Sequence, residues 1–161
     1  MPLDVGGRKP RPFLRTVFNE AGGTFSPDGR WLAFVSDESG QDEIYVQSFR
    51  SPGRRRKVSL GGGAEPVWSK SGRRLFFRKG ESMLTVDISK RPPFASSTPR
   101  LICEGSYSRS SVYVANFDVM EDGLWFLMIQ GDDQQTTPME FRLILDWAEK
   151  LKPRASASES P

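Results

Sequence analysis

The sequence predicts an all-β fold in which similar antiparallel sheets are repeated. One observation is a motif at residues 25–34, FSPDGRWLAF, that returns in altered form at residues 68–77 and 119–128. In each copy a turn containing glycine precedes an apolar run rich in β-forming side chains, as in a tight hairpin. A second observation is that further apolar runs follow the first two hairpins, at residues 43–47 and 83–88. Each repeat therefore contributes several strands.

The spacing of the copies predicts how the sheets assemble. The turn glycines Gly29, Gly72 and Gly123 lie 43 and 51 residues apart. Units of about 40–45 residues with four strands each are typical of β-propeller blades, so the longer second spacing requires an insertion. Because closed propellers contain about 4 to 8 blades, we expect a partial β-propeller of about three four-stranded antiparallel blades in an incomplete ring.

The blades are predicted to follow one another along the chain. Apolar residues at 13–16, 57–60 and 100–103 predict outer strands, and Asp146 followed by Glu149 resembles the capping box of a helix. The predicted order is a blade tail at 1–21, blades at 22–60 and 61–103, a partial blade at 104–146, a short C-terminal helix at 147–152 and a disordered tail at 153–161.

The hairpin motif and the IYV run at residues 44–46 resemble the TolB-like, WD-like β-propeller repeats. The stretches NEAGG at 19–23, GGGAEPVW at 61–68 and LDW at 145–147 are most similar to the C-terminal propellers of bacterial serine/threonine kinases. Related repeats also occur in the propellers of prolyl-oligopeptidase-type peptidases. The resemblance covers residues 2 to about 151, although the third hairpin replaces Ser-Pro with Met-Glu. It is specific for the fold, whereas propellers host many unrelated functions.

An incomplete ring has consequences for partners and location. We expect the chain to be a fragment of a larger propeller protein, or to assemble with a second copy that supplies the remaining blades. The longest apolar run, residues 124–129, is far shorter than the roughly 20 residues of a membrane helix, so no membrane segment is expected. A complete chain would be cytoplasmic, whereas the kinase-like resemblance implies a membrane-anchored parent and an extracytoplasmic location.

Positive charge is concentrated in the first half of the chain. Residues 1–80 carry a net charge of +7 and residues 81–161 carry −4. Most of the excess lies in one turn, which contains Arg50, Arg54, Arg55, Arg56 and Lys57. No aromatic residues alternate with these cations, so we interpret the turn as a solvated loop and expect no nucleic-acid partner.

The residue types present exclude several kinds of active site. The chain has no histidine and a single cysteine, Cys103, which excludes histidine-dependent nucleophilic sites and thiolate zinc sites. Phosphate-loop and kinase motifs are missing from the sequence. We therefore predict no catalytic residue, no cofactor and no metal site. The acidic pairs at 37–38, 42–43 and 132–133 are interpreted as solvated loop residues.

Three polar residues are candidates for contact with a ligand. Glu20, Glu65 and Asn116 stand at comparable places before each innermost strand, where they would line the channel of a closed ring. Hydrogen bonding within turns and crossovers is the alternative role. Aromatic residues at repeat-equivalent positions are predicted to form the core between blades: Trp31, Trp68, Trp125, Phe34, Phe76, Phe77 and Tyr45.

These features predict a non-catalytic propeller segment that acts as a protein-interaction or sensory module and binds a protein or peptide. The first alternative is an accessory propeller that controls substrate access to a prolyl-oligopeptidase-type hydrolase. The second is a truncated gene product without an independent function, since unfinished blades leave strand edges that favour association.

Overall fold

The described part of the protein is entirely β-structure. The computed structural model describes residues 12–50, 53–89, 94–108, 113–120 and 123–130. These residues form eleven strands and no helix. The predicted helix at 147–152 and tail at 153–161 lie outside the described residues.

The first sheet is a four-stranded antiparallel meander. Its strands are paired in chain order, so that each strand neighbours the next one. Phe34 stands opposite Tyr45, and Val35 opposite Ile44, in the central pair of strands. The strands are β1 (Glu20–Phe25), β2 (Trp31–Ser36), β3 (Glu43–Ser48) and β4 (Arg56–Lys57).

The second sheet repeats this order with a divided outer strand. Its last two strands both pair with β7, one at each end, so together they occupy the position that β4 has in the first sheet. The strands are β5 (Ala64–Trp68), β6 (Arg74–Lys79), β7 (Ser82–Ser89), β8 (Ala95–Ser96) and β9 (Arg100–Glu104). A third, two-stranded sheet follows, made of β10 (Phe117–Val119) and β11 (Phe126–Met128).

The hairpin corners of the three sheets have the same geometry. The turn glycines adopt φ values of 63°, 64° and 69°, which glycine tolerates without steric cost. Each glycine N–H donates to the carbonyl three residues earlier, as in Gly123 to Met120 at 2.9 Å. The equivalent bonds, both 2.8 Å long, join Gly29 to Ser26 and Gly72 to Ser69. The predicted repeat is confirmed, including the third corner, which lacks Ser-Pro.

One hydrophobic core lies between the first and second sheets. Because successive side chains of a strand point to opposite faces, Ala33 and Val35 point to one side of β2 and Phe34 to the other. The side chains facing the second sheet pack against its near face and are almost fully buried. This core contains Ala33, Val35, Ile44, Val46 and Val58 from the first sheet, and Trp68, Leu75, Phe77, Val86 and Ile88 from the second.

A smaller core lies between the second and third sheets. Phe76 and Met83 emerge from the far face of the second sheet and pack against Phe117 and Val119 of β10. Equivalent positions in successive sheets thus face in the same direction, and each sheet is covered by the next. This is the packing of neighbouring propeller blades, so the predicted fold class, an all-β partial propeller, is confirmed.

Three local predictions differ from the structure. The strand expected at residues 13–16 is absent, because no described segment pairs with it. The outer strand expected at 57–60 is shorter, since Ser59 turns its hydroxyl to the Ile44 N–H at 2.7 Å in place of a ladder bond. Trp125 is 43% exposed instead of buried, because it precedes β11 at the rim of the two-stranded third sheet.

Candidate functional site

Glu20, the first predicted ligand residue, opens β1 and is held in a charge network. Its carboxylate accepts a hydrogen bond from the Thr16 hydroxyl and lies 3.4 Å from the Arg55 guanidinium. Arg55 also binds Glu38 at 2.8 Å. Glu20 is therefore joined to the outer strand of its own sheet, and its side chain is mostly covered.

Glu65 and Asn116, the other two predicted ligand residues, are brought together by the structure. Glu65 lies in β5 with φ of 55° and is 2% exposed. Its Oε2 accepts the backbone N–H of Asn116 at 3.0 Å. This bond links the second sheet to the third, which matches the alternative role in crossover bonding. A ligand-contacting role for these residues stays a prediction.

Tyr113 forms a further link that the sequence did not reveal. It lies at the entrance to the third sheet with φ of 61°, and its hydroxyl forms a hydrogen bond with Asp42 of the first sheet, which raises the pKa of Tyr113. Its carbonyl packs against Gly22, where an added Cβ would come within 2.7 Å of the oxygen. Gly22 stands where the second repeat has Glu65, as the similar φ values of the two residues show. The prediction that Glu20 occupies the place comparable to Glu65 is therefore wrong by two residues.

Glu43 forms a buried polar centre inside the first sheet. The side chain is 0% exposed, so its interpretation as a solvated loop residue is wrong. Its carboxylate accepts hydrogen bonds from the Ser59 hydroxyl, the Gln41 amide at 3.1 Å and the Gly61 N–H at 3.1 Å. Burial raises the pKa of Glu43, but these hydrogen bonds and the charge of Lys57 outweigh burial and hold the pKa below its usual range.

A basic groove lies between the outer strands of the first two sheets. It encloses about 520 Å³, which falls in the size range of ligand sites. One wall is formed by consecutive cations at the end of the first sheet, and the other by the start of the divided outer strand of the second. The groove is lined by Arg54, Arg55, Arg56, Lys57, Phe94, Ala95 and Ser96.

The four cations of the basic groove fall into two groups. Arg55 is paired with Glu20 and Glu38, and Lys57 lies 3.4 Å from Glu43. Arg54 and Arg56 are exposed, and no carboxylate in the described part of the chain pairs with them. The solvated-loop interpretation therefore holds for the exposed side chains of the turn, which are all of its cations except Arg55. It missed the groove, because nothing in the sequence places Phe94 beside the arginines.

The described residues contain neither a metal-binding cluster nor a membrane-spanning helix. Among them, no group of three or more His, Cys, Asp or Glu side chains is arranged to hold a metal ion. Within the same ranges, no helix has the length and apolar character needed to cross a membrane.

Comparisons with known proteins give a partial similarity. No protein-family model matches the chain. It is 40% identical over 62 residues to the Tol-Pal system protein TolB of Alkalilimnicola ehrlichii, and 41% identical over 59 residues to that of Thioalkalivibrio sulfidiphilus. The matches cover 38% and 37% of this chain but only 14% of each relative. The similarity supports the predicted resemblance to TolB-like repeats. It does not support the predicted resemblance to kinase-linked propellers.

Proposed function

We propose that this chain is a non-catalytic, protein-binding segment of a larger TolB-like β-propeller. The observation that carries this proposal is the stack of equivalent sheets joined by buried cores. Such a scaffold holds loops and strand edges rigidly, and exposed loops on a rigid scaffold are where recognition residues are commonly found. The partial similarity to TolB, a protein named as part of the Tol-Pal system, favours a protein partner.

The absence of histidine from the sequence favours binding over chemistry as the task of this segment. Without histidine, and with a single cysteine, the common nucleophilic triads and thiolate metal sites have no residues to form from. The buried carboxylate of Glu43 is fully engaged by neighbouring donors. We therefore propose that binding at the surface is the activity of this segment.

The test is to identify a partner and reconstitute the complex. The tagged chain, expressed at its natural level, is cross-linked in cells, and each candidate partner is then purified and mixed with the purified chain. We expect a direct complex with a dissociation constant in the micromolar range or below, and no turnover of ATP, peptide or ester substrates. The Trp68→Ala variant, used at a temperature at which circular dichroism shows it unfolded and the wild type folded, serves as the control, because a true partner requires the stacked sheets.

Two results would contradict the proposal. One is that every cross-linked protein binds the Trp68→Ala variant as well as the wild type, since recognition would then not depend on the folded sheets. The other is turnover of any of these substrates at an enzyme-like rate by the purified chain.

The larger protein that contains this segment is either a kinase or a prolyl-oligopeptidase-type peptidase in two competing forms of this proposal. A kinase-linked parent predicts kinase motifs upstream in the same reading frame, and a peptidase-linked parent predicts a Gly-x-Ser-x-Gly hydrolase domain downstream. Reading the flanking DNA distinguishes the two, and finding neither motif would remove both.

Self-assembly is a second candidate, favoured by apolar side chains at the third sheet. Leu124 and Leu127 are 69% and 60% exposed, and Leu127 stands opposite Asp118 on the face of the sheet turned away from the second. A second copy could cover these side chains and add blades. Light scattering with size-exclusion chromatography tests this candidate, which predicts a dimer or larger species. A monomer across micromolar concentrations would contradict it.

A further inference from the structure

Two strands that line the basic groove, β4 and β8, lie at the outer edges of their sheets. β4 is the last strand of the first sheet, and β8 pairs only with β7 in the second sheet. Each strand therefore has one edge without a neighbouring strand among the described residues. An extended peptide adds readily to such edges, because its backbone groups pair with those of the edge strand.

The charge of the groove selects the kind of peptide. Arg56 stands opposite Val46 in the register, and Val46 points toward the second sheet, so Arg56 faces the groove. Arg54 lies two residues earlier and also lines it. Neither arginine has an anionic partner among the described residues. Side chains at alternate positions of an extended peptide share one face, so carboxylates two residues apart would meet these arginines.

An aromatic side chain gives the groove a fixed apolar wall. Phe94 packs on Trp31 of the first sheet with ring centroids 4.7 Å apart. This contact joins the two sheets beside the arginines. Phe94 therefore supplies an apolar surface next to the arginines, on which the aliphatic part of a bound peptide can pack.

We propose that this groove binds an extended acidic peptide with carboxylates at alternate positions. The inference rests on the proposed protein-binding function and names the class of ligand that one surface recognises. A peptide fits better than a nucleic acid for two reasons. The volume of about 520 Å³ accommodates a short single segment, and one aromatic ring is too few for the successive stacking platforms that single-stranded nucleic acids use.

The test measures binding of labelled six-residue peptides to the full chain by fluorescence anisotropy. We expect a peptide of alternating Glu and Thr to bind, and matched peptides with Gln or Lys in place of Glu not to bind. A peptide with the same composition but its three Glu residues consecutive should bind several-fold more weakly. The double variant Arg54→Gln/Arg56→Gln should weaken the alternating peptide about tenfold, since exposed ion pairs contribute modestly.

The control variant is Arg15→Gln/Arg73→Gln, which removes two exposed arginines outside the groove and should leave the affinity unchanged. Thermal unfolding of both double variants should match the wild type, because all four side chains are exposed. Equal weakening by the two double variants would overturn the inference, since it would indicate attraction to net charge alone. An oligonucleotide that displaces the peptide at lower concentration would also overturn it.

The outcomes separate this inference from the proposed function. If the reconstituted protein partner binds the Arg54→Gln/Arg56→Gln variant with full affinity and no acidic peptide binds, the groove inference fails while the protein-binding function stands. If peptides bind through the groove but no protein partner is found, the proposed function fails as stated and the groove inference stands.

Discussion

The indole N–H of Trp68 donates to the backbone carbonyl of Thr24 at 3.2 Å. The bond joins the innermost strands β5 and β1 of two successive sheets. Trp68 is 8% exposed and belongs to the core between these sheets. Its side chain therefore both fills the hydrophobic core and forms a hydrogen bond between the two sheets.

Replacing Trp68 by alanine should destabilise the protein by about 3–5 kcal/mol, because it empties a large core position and leaves the Thr24 carbonyl without its donor. The variant Trp68→Phe, which keeps most of the apolar volume, should cost less. Urea unfolding followed by circular dichroism measures both. The control is Trp125→Ala at a 43% exposed position, and an equal loss for the two alanine variants would contradict burial of Trp68 between sheets.

Glu43 should make stability depend on pH in the acidic range. Its pKa is lower in the folded protein than the ordinary 4.5, so its contribution is complete above that value and is lost as pH falls through the folded pKa. Glu43→Gln should remove this part of the pH dependence. At neutral pH the variant should cost about 2–3 kcal/mol, since charge-assisted bonds become neutral ones.

Urea unfolding at pH values from 7 to about 3 measures the Glu43 effect. Glu104→Gln is the matched control, because Glu104 is exposed and its side chain's only hydrogen bond within the described part of the chain comes from the Ser82 hydroxyl. A Glu43→Gln variant whose stability changes with pH as the wild type does would show that another carboxylate is responsible.

Two glycines with nearly the same φ should respond differently to alanine. Gly29 has φ of 63° and open space where a Cβ would be added, whereas the same addition at Gly22, with φ of 60°, meets the Tyr113 carbonyl at 2.7 Å. Gly29→Ala should cost about 1–2 kcal/mol from backbone strain alone. Gly22→Ala should cost clearly more, because backbone atoms must move. Thermal unfolding compares them, and equal losses would argue against the contact between Gly22 and Tyr113.

Tyr113 should titrate at higher pH than an ordinary tyrosine. The hydrogen bond with Asp42 raises its pKa above 10.0, so its stabilising contribution is complete below that value and is lost as pH rises through the folded pKa. Absorbance at ultraviolet wavelengths should show a late ionisation step that belongs to Tyr113. The late step should disappear in Tyr113→Phe and persist in Tyr107→Phe; its presence in Tyr113→Phe would contradict the assignment.

The repeated hairpin could be predicted from the sequence because its main determinants are local. A glycine at positive φ and the apolar run after it specify the corner without help from distant residues. This is why the corners at Gly29, Gly72 and Gly123 were placed correctly. In the first corner the Ser26 hydroxyl oxygen accepts a hydrogen bond from the Trp31 N–H at 3.0 Å. Met120 has no hydroxyl, so the third corner shows that backbone hydrogen bonds suffice to form the turn.

Contacts between sheets were harder to predict, because they depend on residues far apart in the chain. The bond between Glu65 and Asn116 spans 51 positions, and no pattern in either segment indicates it. The basic groove is a similar case, since its arginines were visible as a charged turn but their position beside Phe94 depends on how two sheets pack. The burial of Glu43 was not predicted, because two of its donors, Ser59 and Gly61, lie on a later segment of the chain.

The closure of each hairpin corner by main-chain groups has a consequence for how such chains diverge. The side chains at these corners can be substituted while the turn itself is kept, because main-chain hydrogen bonds close it. Blades can therefore share the same fold after sequence similarity between them is no longer detectable. Blades of this kind are then better identified by the geometry of their hairpin corners than by a sequence motif.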